Sequence, residues 1–145
     1  MGGRGLPVRW RSGQGPGFTL VELMIVVAVL TILAGIGYPL YTKQVHKARR
    51  VDARNAVLAV AMAQERFFTR KGRYAASLGS LTIDPGLQGG RSEQGYYALT
   101  SVAGSTTFTI TATATGKQAG DTDCKTFSMD QTGVKRSTGG GSNCW

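Results

Sequence analysis

Polarity changes in blocks along this chain. From Phe18 to Tyr38, twenty-one residues run with a single charge, Glu22. A helix of that length is about 31 Å long, close to one bilayer core. Its many Val and Ile residues suit a helix in lipid, where the backbone has no water to turn to. Gly35, Gly37 and Pro39 punctuate its end, and a proline inside a helix is expected to kink it. Helical sequence resumes at Tyr41 and runs to about Arg70. Val57, Val60, Ala61, Gln64 and Phe68 recur at helical spacing, with Leu58 and Met62 on an adjacent strip. That pattern predicts one helix face laid against a sheet, with Met62, Phe67 and Phe68 as core residues. Gly72 ends the helix, and residues 72–94, with Gly79, Asp84-Pro85-Gly86 and Gly89-Gly90, read as a loop. Strand patterns follow at Tyr96–Val102, at Thr106–Thr115 with Phe108 and Ile110 on one face, and at Cys124–Asp130. Gln131-Thr132-Gly133 reads as a turn into a short strand, Val134–Arg136. The Gly/Ser-rich stretch Ser137–Asn143 is expected to be a loop pinned by Cys144. The class is α+β: a long N-terminal helix on a small antiparallel sheet.

With the apolar helix set aside, about 100 residues remain for a head, and cores of that size often need a staple. Cys124 and Cys144 are the only cysteines in the 145 residues. No histidine is near them and their spacing is not that of a zinc site, so they read as a disulfide. A loop of that size is closed at a gain of about 3 kcal/mol in the chain-entropy account. A disulfide places the head in an oxidising space. The flanking charges, Arg4, Arg9 and Arg11 before the helix and Lys43, Lys47, Arg49 and Arg50 after it, do not choose a topology by themselves. The cysteines do, with the head outside.

Glu22 raises the sharpest question. An acid inside a membrane helix costs about 2.5–3.5 kcal/mol on insertion scales, so a partner is expected. A secretory signal peptide is one reading of the segment, but the apolar run is long for one and no A-x-A site follows it. A simple anchor leaves Glu22 unexplained. The residues Gly17-Phe18-Thr19-Leu20-Val21-Glu22 resemble the processing signature of type IV prepilins, Gly-Phe-x-x-x-Glu ahead of a long apolar helix. The resemblance implies cleavage between Gly17 and Phe18 by a prepilin peptidase and N-methylation of the new Phe18 amine. It also implies that Glu22 pairs with the Phe18 amine of a neighbouring subunit. Residues 1–17 are then a leader, with Pro16 and Trp10 unusual within it. Removing its three arginines and no acids from a net charge of +9 leaves about +6.

Residues Glu65 to Ala75, the run Gln118, Asp121 and Cys124, and the ending through Asp130, Gly133 and Cys144-Trp145 are similar to PilE-like minor pilins. The resemblance implies the type IV pilin fold with a C-terminal disulfide loop. The organisation it implies is a leader at 1–17, a transmembrane and filament-core helix at 18–41, an amphipathic helix at 42–71 and a sheet head at 72–145. The expected role is a minor subunit of a type IV pilus, supporting pilus biogenesis, twitching motility, adhesion or DNA uptake. Its expected place is the bacterial inner membrane, head in the periplasm, and then the extracellular pilus. Expected partners are other pilins, the peptidase, the pilus assembly machinery, membrane lipid before assembly, and DNA as a weak contact of the basic surface. Two alternatives stand beside it: a pseudopilin of a type II secretion system, and a membrane-anchored binding protein that never polymerises.

The remaining charges are less specific. The basic cluster Lys43, Lys47, Arg49, Arg50 and Arg54 reads as a lipid-headgroup anchor, as a partner for acids of adjacent subunits, or as a solvated face. The lone His46 reads as a surface residue. Asp121, Asp123 and Asp130 suggest a metal cluster less than they suggest turn aspartates. No nucleophile–base set, phosphate loop or carboxylate pair is visible, so no enzyme, metal or cofactor is expected.

Overall fold

The computed structural model describes residues 17–145, and residues 1–16, with Arg4, Arg9 and Arg11, lie outside the described residues. The chain divides into two units, one ending at Pro39 and one from Leu40 to Trp145. Helix α1, Leu20–Lys71, contributes to both and holds Pro39 within its 52 residues. The boundary between the units falls directly after that proline.

In the first unit α1 starts with a capped turn. The Glu22 amide donates to Thr19 Oγ1 at 3.2 Å, and the Leu23 amide donates to the Thr19 carbonyl at 3.2 Å. Thr19 is thus the N-cap that the T-x-x-E spacing calls for. Every side chain from Gly17 to Pro39 is exposed, and the helix reaches a mean hydropathy of 2.6 in its most apolar window. By length and composition this segment can cross a membrane.

The second unit is a helix on a sheet. Strands β1 (Tyr97–Ala103), β2 (Phe108–Ala114), β3 (Thr126–Asp130) and β4 (Lys135–Thr138) form an antiparallel meander in chain order. Ala53, Ala56, Val57, Val60 and Ala61 of α1 share one core with Tyr97 and Leu99 of β1, Phe108, Ile110 and Ala112 of β2, and Phe127 and Met129 of β3. Alternation along each strand delivers those residues to one face. Between α1 and β1 lie a single 3-10 turn at Leu78–Ser80 and a short helix α2, Pro85–Gln88, capped by the Asp84 carboxylate. Another 3-10 turn, Gly116–Gly120, follows β2.

Several boundaries and placements differ from expectation. Met62 is 57% exposed rather than core, because five residues past Val57 is about 140° around the helix. Phe67 and Phe68 are half-buried, and Phe68 stacks on Tyr74 at 4.6 Å between ring centroids. β3 begins two residues later than predicted. β4 takes in Ser137 and Thr138, which were read as loop, since Thr126 and Thr138 are register partners.

The segment after β4 is held down by the Cys124–Cys144 disulfide, in agreement with the sequence reading. Phe127 and Trp145 pack edge to face at 5.7 Å, and Trp145 Nε1 donates to the Arg136 carbonyl at 2.8 Å. The chain reaches this position by crossing closely over Thr122 and Asp123. The amides of Gly140 and Gly141 donate to their carbonyls at 3.0 and 2.9 Å. Gly139 has φ +138°, and a Cβ there would collide with the Asp123 carbonyl. Gly139→Ala is therefore expected to destabilise the head by about 1–3 kcal/mol, read as a lower unfolding midpoint of the full chain in detergent. An unchanged midpoint would show that the crossing tolerates a side chain.

Candidate functional site

Two places bring charge and chemistry together. The first is the start of α1. Gly17, Phe18 and Thr19 precede the helix, and Phe18 is 80% exposed, so the Gly17–Phe18 bond lies on an open, non-helical stretch. Glu22 sits in the first turn, where a carboxylate complements the helix dipole. Among the described residues no cation pairs with it. The large side chains around it between Leu20 and Leu33 are apolar and open, so an acid with no visible partner lies in an apolar surface with no visible cover.

The second place is a polar centre between α1 and the segment before Cys124. Arg50 is the member of the basic cluster that lies inside. Its Nε and Nη2 donate to the two carboxylate oxygens of Asp121 at 2.7 and 2.8 Å, and Nη2 reaches Asp123 at 3.4 Å. The Arg50 and Asp121 side chains are 10% and 3% exposed. Burial pushes the Asp121 carboxyl up, but the hydrogen bonds and charge of Arg50, the amide of Cys124 and the charge of His46 outweigh it and hold the acid below its ordinary range. On the other side, the hydrogen bond to Asp121 leads the effects that raise the Arg50 guanidinium. A two-point fork of this kind fixes geometry as well as charge.

Gln118 completes the centre. Its Nε2 lies 3.1 Å from the His46 carbonyl, 3.0 Å from the Tyr97 hydroxyl and 3.2 Å from Asp121. Its Oε1 lies 3.0 Å from His46 Nδ1. An amide oxygen can only accept, so that ring nitrogen carries the proton. His46 is half-buried and belongs to this network, in contrast to the surface residue expected. Burial pushes the Tyr97 phenol up, which keeps its proton in place.

Nearby side chains hold other loops to the same helix. Asp52 accepts from Ser92 Oγ at 2.6 Å and from the Gln94 amide at 3.1 Å. Gln64 bonds both backbone groups of Ala75. Arg49 lies over the Tyr96 ring at 4.4 Å.

The three aspartates weighed as a metal cluster have separate duties. Asp121 and Asp123 face Arg50. Asp130 accepts from the Thr132 hydroxyl, the Thr132 and Val134 amides and Arg136. Led by the Thr132 hydroxyl, these bonds hold its carboxyl at about 2. Among the described residues no group of three or more His, Cys, Asp or Glu could hold an ion.

Comparison with known proteins gives matches to both stretches of the chain. Residues 39–128 match the family described as type IV minor pilin ComP, DNA uptake sequence receptor. Residues 16–38 match a prokaryotic N-terminal methylation motif. The type IV major pilin protein PilA of Myxococcus xanthus is 44% identical over 59 residues, which are 41% of this chain and 27% of that protein. The fimbrial protein EcpC of Eikenella corrodens is 38% identical over 60 residues, which are 41% of this chain and 39% of that one. These matches span well under half of either relative. A type IV pilin from Shewanella oneidensis is 31% identical with a TM-score of 0.50, covering 69% of this chain and 97% of that structure. The non-core minor pilin PilV of Neisseria meningitidis shares the fold at 17% identity, TM-score 0.52, covering 70% of this chain and 95% of its own.

The buried pair makes a direct prediction. Asp121→Asn breaks the two-point fork and leaves the buried Arg50 only Asp123, at 3.4 Å and 60% exposed, as a counter-charge, and should cost about 3 kcal/mol at neutral pH. The wild-type carboxyl is depressed, so its contribution is present above the unfolded carboxyl's value and is lost as pH falls through the lower folded value. The variant's stability should therefore fall less steeply on acidification. Denaturant unfolding at several pH values checks both. Replacing both partners by apolar residues, Arg50→Met with Asp121→Leu, should cost less than Asp121→Asn alone.

Proposed function

This chain belongs to the type IV pilins, within the family described as minor pilin ComP, and on that basis we propose that it is a minor subunit of a type IV pilus. The observation that carries this reading is the exposed apolar start of α1 with Glu22 inside it. In lipid, the apolar side chains from Phe18 to Tyr38 are solvated by acyl chains. In a filament they are covered by the same segments of other subunits, which pack through van der Waals contact.

Processing and assembly then follow from one cut. Cleavage between Gly17 and Phe18 by a prepilin peptidase, followed by methylation, creates a cationic amine four residues from Glu22. Within one chain the two lie at the same helix end. Between chains, a stagger sets the amine of one subunit against Glu22 of the next. A carboxylate and an ammonium in low dielectric stabilise each other only in good geometry, so the pair fixes register as well as contact. Pro39 removes one helix hydrogen-bond donor within α1. The subunit is first held in the inner membrane with its head in the periplasm, where the Cys124–Cys144 bond forms, and the assembly machinery then lifts it into an extracellular filament.

The family's description as a DNA uptake sequence receptor favours a second reading, in which the head also meets DNA. The net charge of the chain supports it by attracting phosphates without reading sequence. The role is structural in either case, with no reaction assigned to the chain.

Glu22→Ala should remove the subunit from shear-released filaments while leaving it in the membrane fraction. Unchanged incorporation and unchanged surface filaments would reject the polymer reading and favour an anchored binding protein. Replacing Gly17, for instance by Gly17→Asp, should leave a precursor about 17 residues heavier on mass analysis. A normally sized mature chain from that variant would remove the peptidase assignment.

A further inference from the structure

We propose that the groove between α1 and the disulfide loop is a headgroup site for an anionic phospholipid. The proposal rests on the reading above, in which the apolar segment spans a membrane and the head lies outside it. The groove has a volume of about 420 Å³ and lies wholly within the second unit. On its helix side are Leu40, Lys43, Gln44 and Lys47. On its loop side are Gly141, Ser142 and Asn143, and Arg50 and Asp123 also line it.

Its charge balance favours an anion. Three cations face one carboxylate. Asp123 already lies 3.4 Å from Arg50, and Arg50 is committed through its fork to Asp121. The positive excess therefore rests on Lys43 and Lys47, which are exposed and form no ion pair with any described residue. They stand one turn apart on the same side of α1. The amides of Gln44 and Asn143 and the hydroxyl of Ser142 add neutral hydrogen-bond donors around them. Two ammonium groups with a ring of such donors suit a phosphodiester.

Position selects a lipid over a free phosphate. Leu40 lines the same groove and is 64% exposed. It follows Pro39 at the end of the apolar run, so it belongs at the edge of the hydrocarbon. Lys43 comes about 4.5 Å farther along the helix and Lys47 about 10 Å farther. Lys43 thus falls within the headgroup layer, roughly 5–8 Å thick on each side of a bilayer, and Lys47 just beyond it, from where its stem reaches back. One molecule can thus place its acyl chains beside Leu40 and its phosphate between the lysines. The site would hold the waiting subunit at a fixed depth before assembly.

The test uses the mature full-length chain in nanodiscs of phosphatidylcholine with and without phosphatidylglycerol. Native mass spectrometry after detergent release counts the lipid retained, and acetylation measures protection of Lys43 and Lys47. Phosphatidylglycerol should be retained over phosphatidylcholine and should protect both lysines. Lys43→Gln with Lys47→Gln should lower that preference about thirtyfold. Lys43→Arg with Lys47→Arg and the distant Lys71→Gln should keep it, which controls for folding and for general charge. Equal retention of the two lipids by the wild-type chain, or an undiminished preference in the glutamine variant, would overturn the site. So would protection of the lysines by inorganic phosphate or by a DNA duplex but not by phosphatidylglycerol, which would assign the groove to those ligands. Failure of the underlying reading looks different: the chain would then be absent from alkali-washed membranes altogether, and both would fall.

Discussion

The head depends on one two-point contact, the fork from Arg50 to Asp121. A guanidinium carried to the core side of a helix must meet an acid there, because an uncompensated buried charge costs several kcal/mol. The acid it meets is three residues before Cys124, and the Cys124 amide donates to the same carboxylate at 3.3 Å. Helix, disulfide and the last turn before β3 are thereby tied at one point. Gln118 extends that point to Tyr97 at the start of β1 and to His46 one turn earlier on the helix. No fully buried side-chain nitrogen or oxygen among the described residues lacks a hydrogen-bond partner, which is the condition under which a buried polar network gives specificity rather than loss.

The same device is used along the rest of the buried helix face. Asp52 organises residues 92–97, and Gln64 clamps Ala75 just after the helix. Apolar residues between them supply burial, while these polar groups decide which loop lies where. This division of labour suits a small head. Hydrophobic contact is non-directional and would accept several loop arrangements, whereas a fork or a two-way amide bond accepts one. The disulfide and Gly139 act last: the bond shortens the denatured chain's reach, and the glycine lets the returning strand pass over Asp123.

The elements were legible where the periodicity was clean. Val57, Val60, Ala61 and Gln64 mark the core face by spacing alone, and the alternation of Phe108 and Ile110 marks β2. Legibility failed where a basic side chain occupied a core-side position. His46, Arg50, Ala53, Val57, Val60 and Gln64 recur at intervals of four and three, so one stripe runs through all six. By chemistry alone Arg50 belongs with the basic cluster and His46 with the surface, while their phase on the helix puts both on the core side. The stripe itself was the available signal: a cation in that register requires a buried acid. Which acid was beyond reach, since 71 residues separate Arg50 from Asp121 and the loops that join them carry no period. Met62 failed in the opposite way, an apolar side chain out of phase with the stripe.

Arg50 and Glu22 pose the same electrostatic problem on one helix. Each is a charge placed among apolar side chains, and neither is tolerable there without a partner. For Arg50 the fold brings the counter-charge from its own chain, in a centre completed before any other molecule is needed. For Glu22 no described residue does so, and the side chains around it are uncovered as well. A chain that meets one such charge within its head and leaves the other open among the described residues treats the two differently: the head's charge is answered by its own fold, while on the proposed reading the apolar start of α1 keeps an interaction for a second subunit. That is the physical sense in which an acid with no described partner supports the proposed polymer, and why its loss should spare the head while keeping the subunit out of the filament.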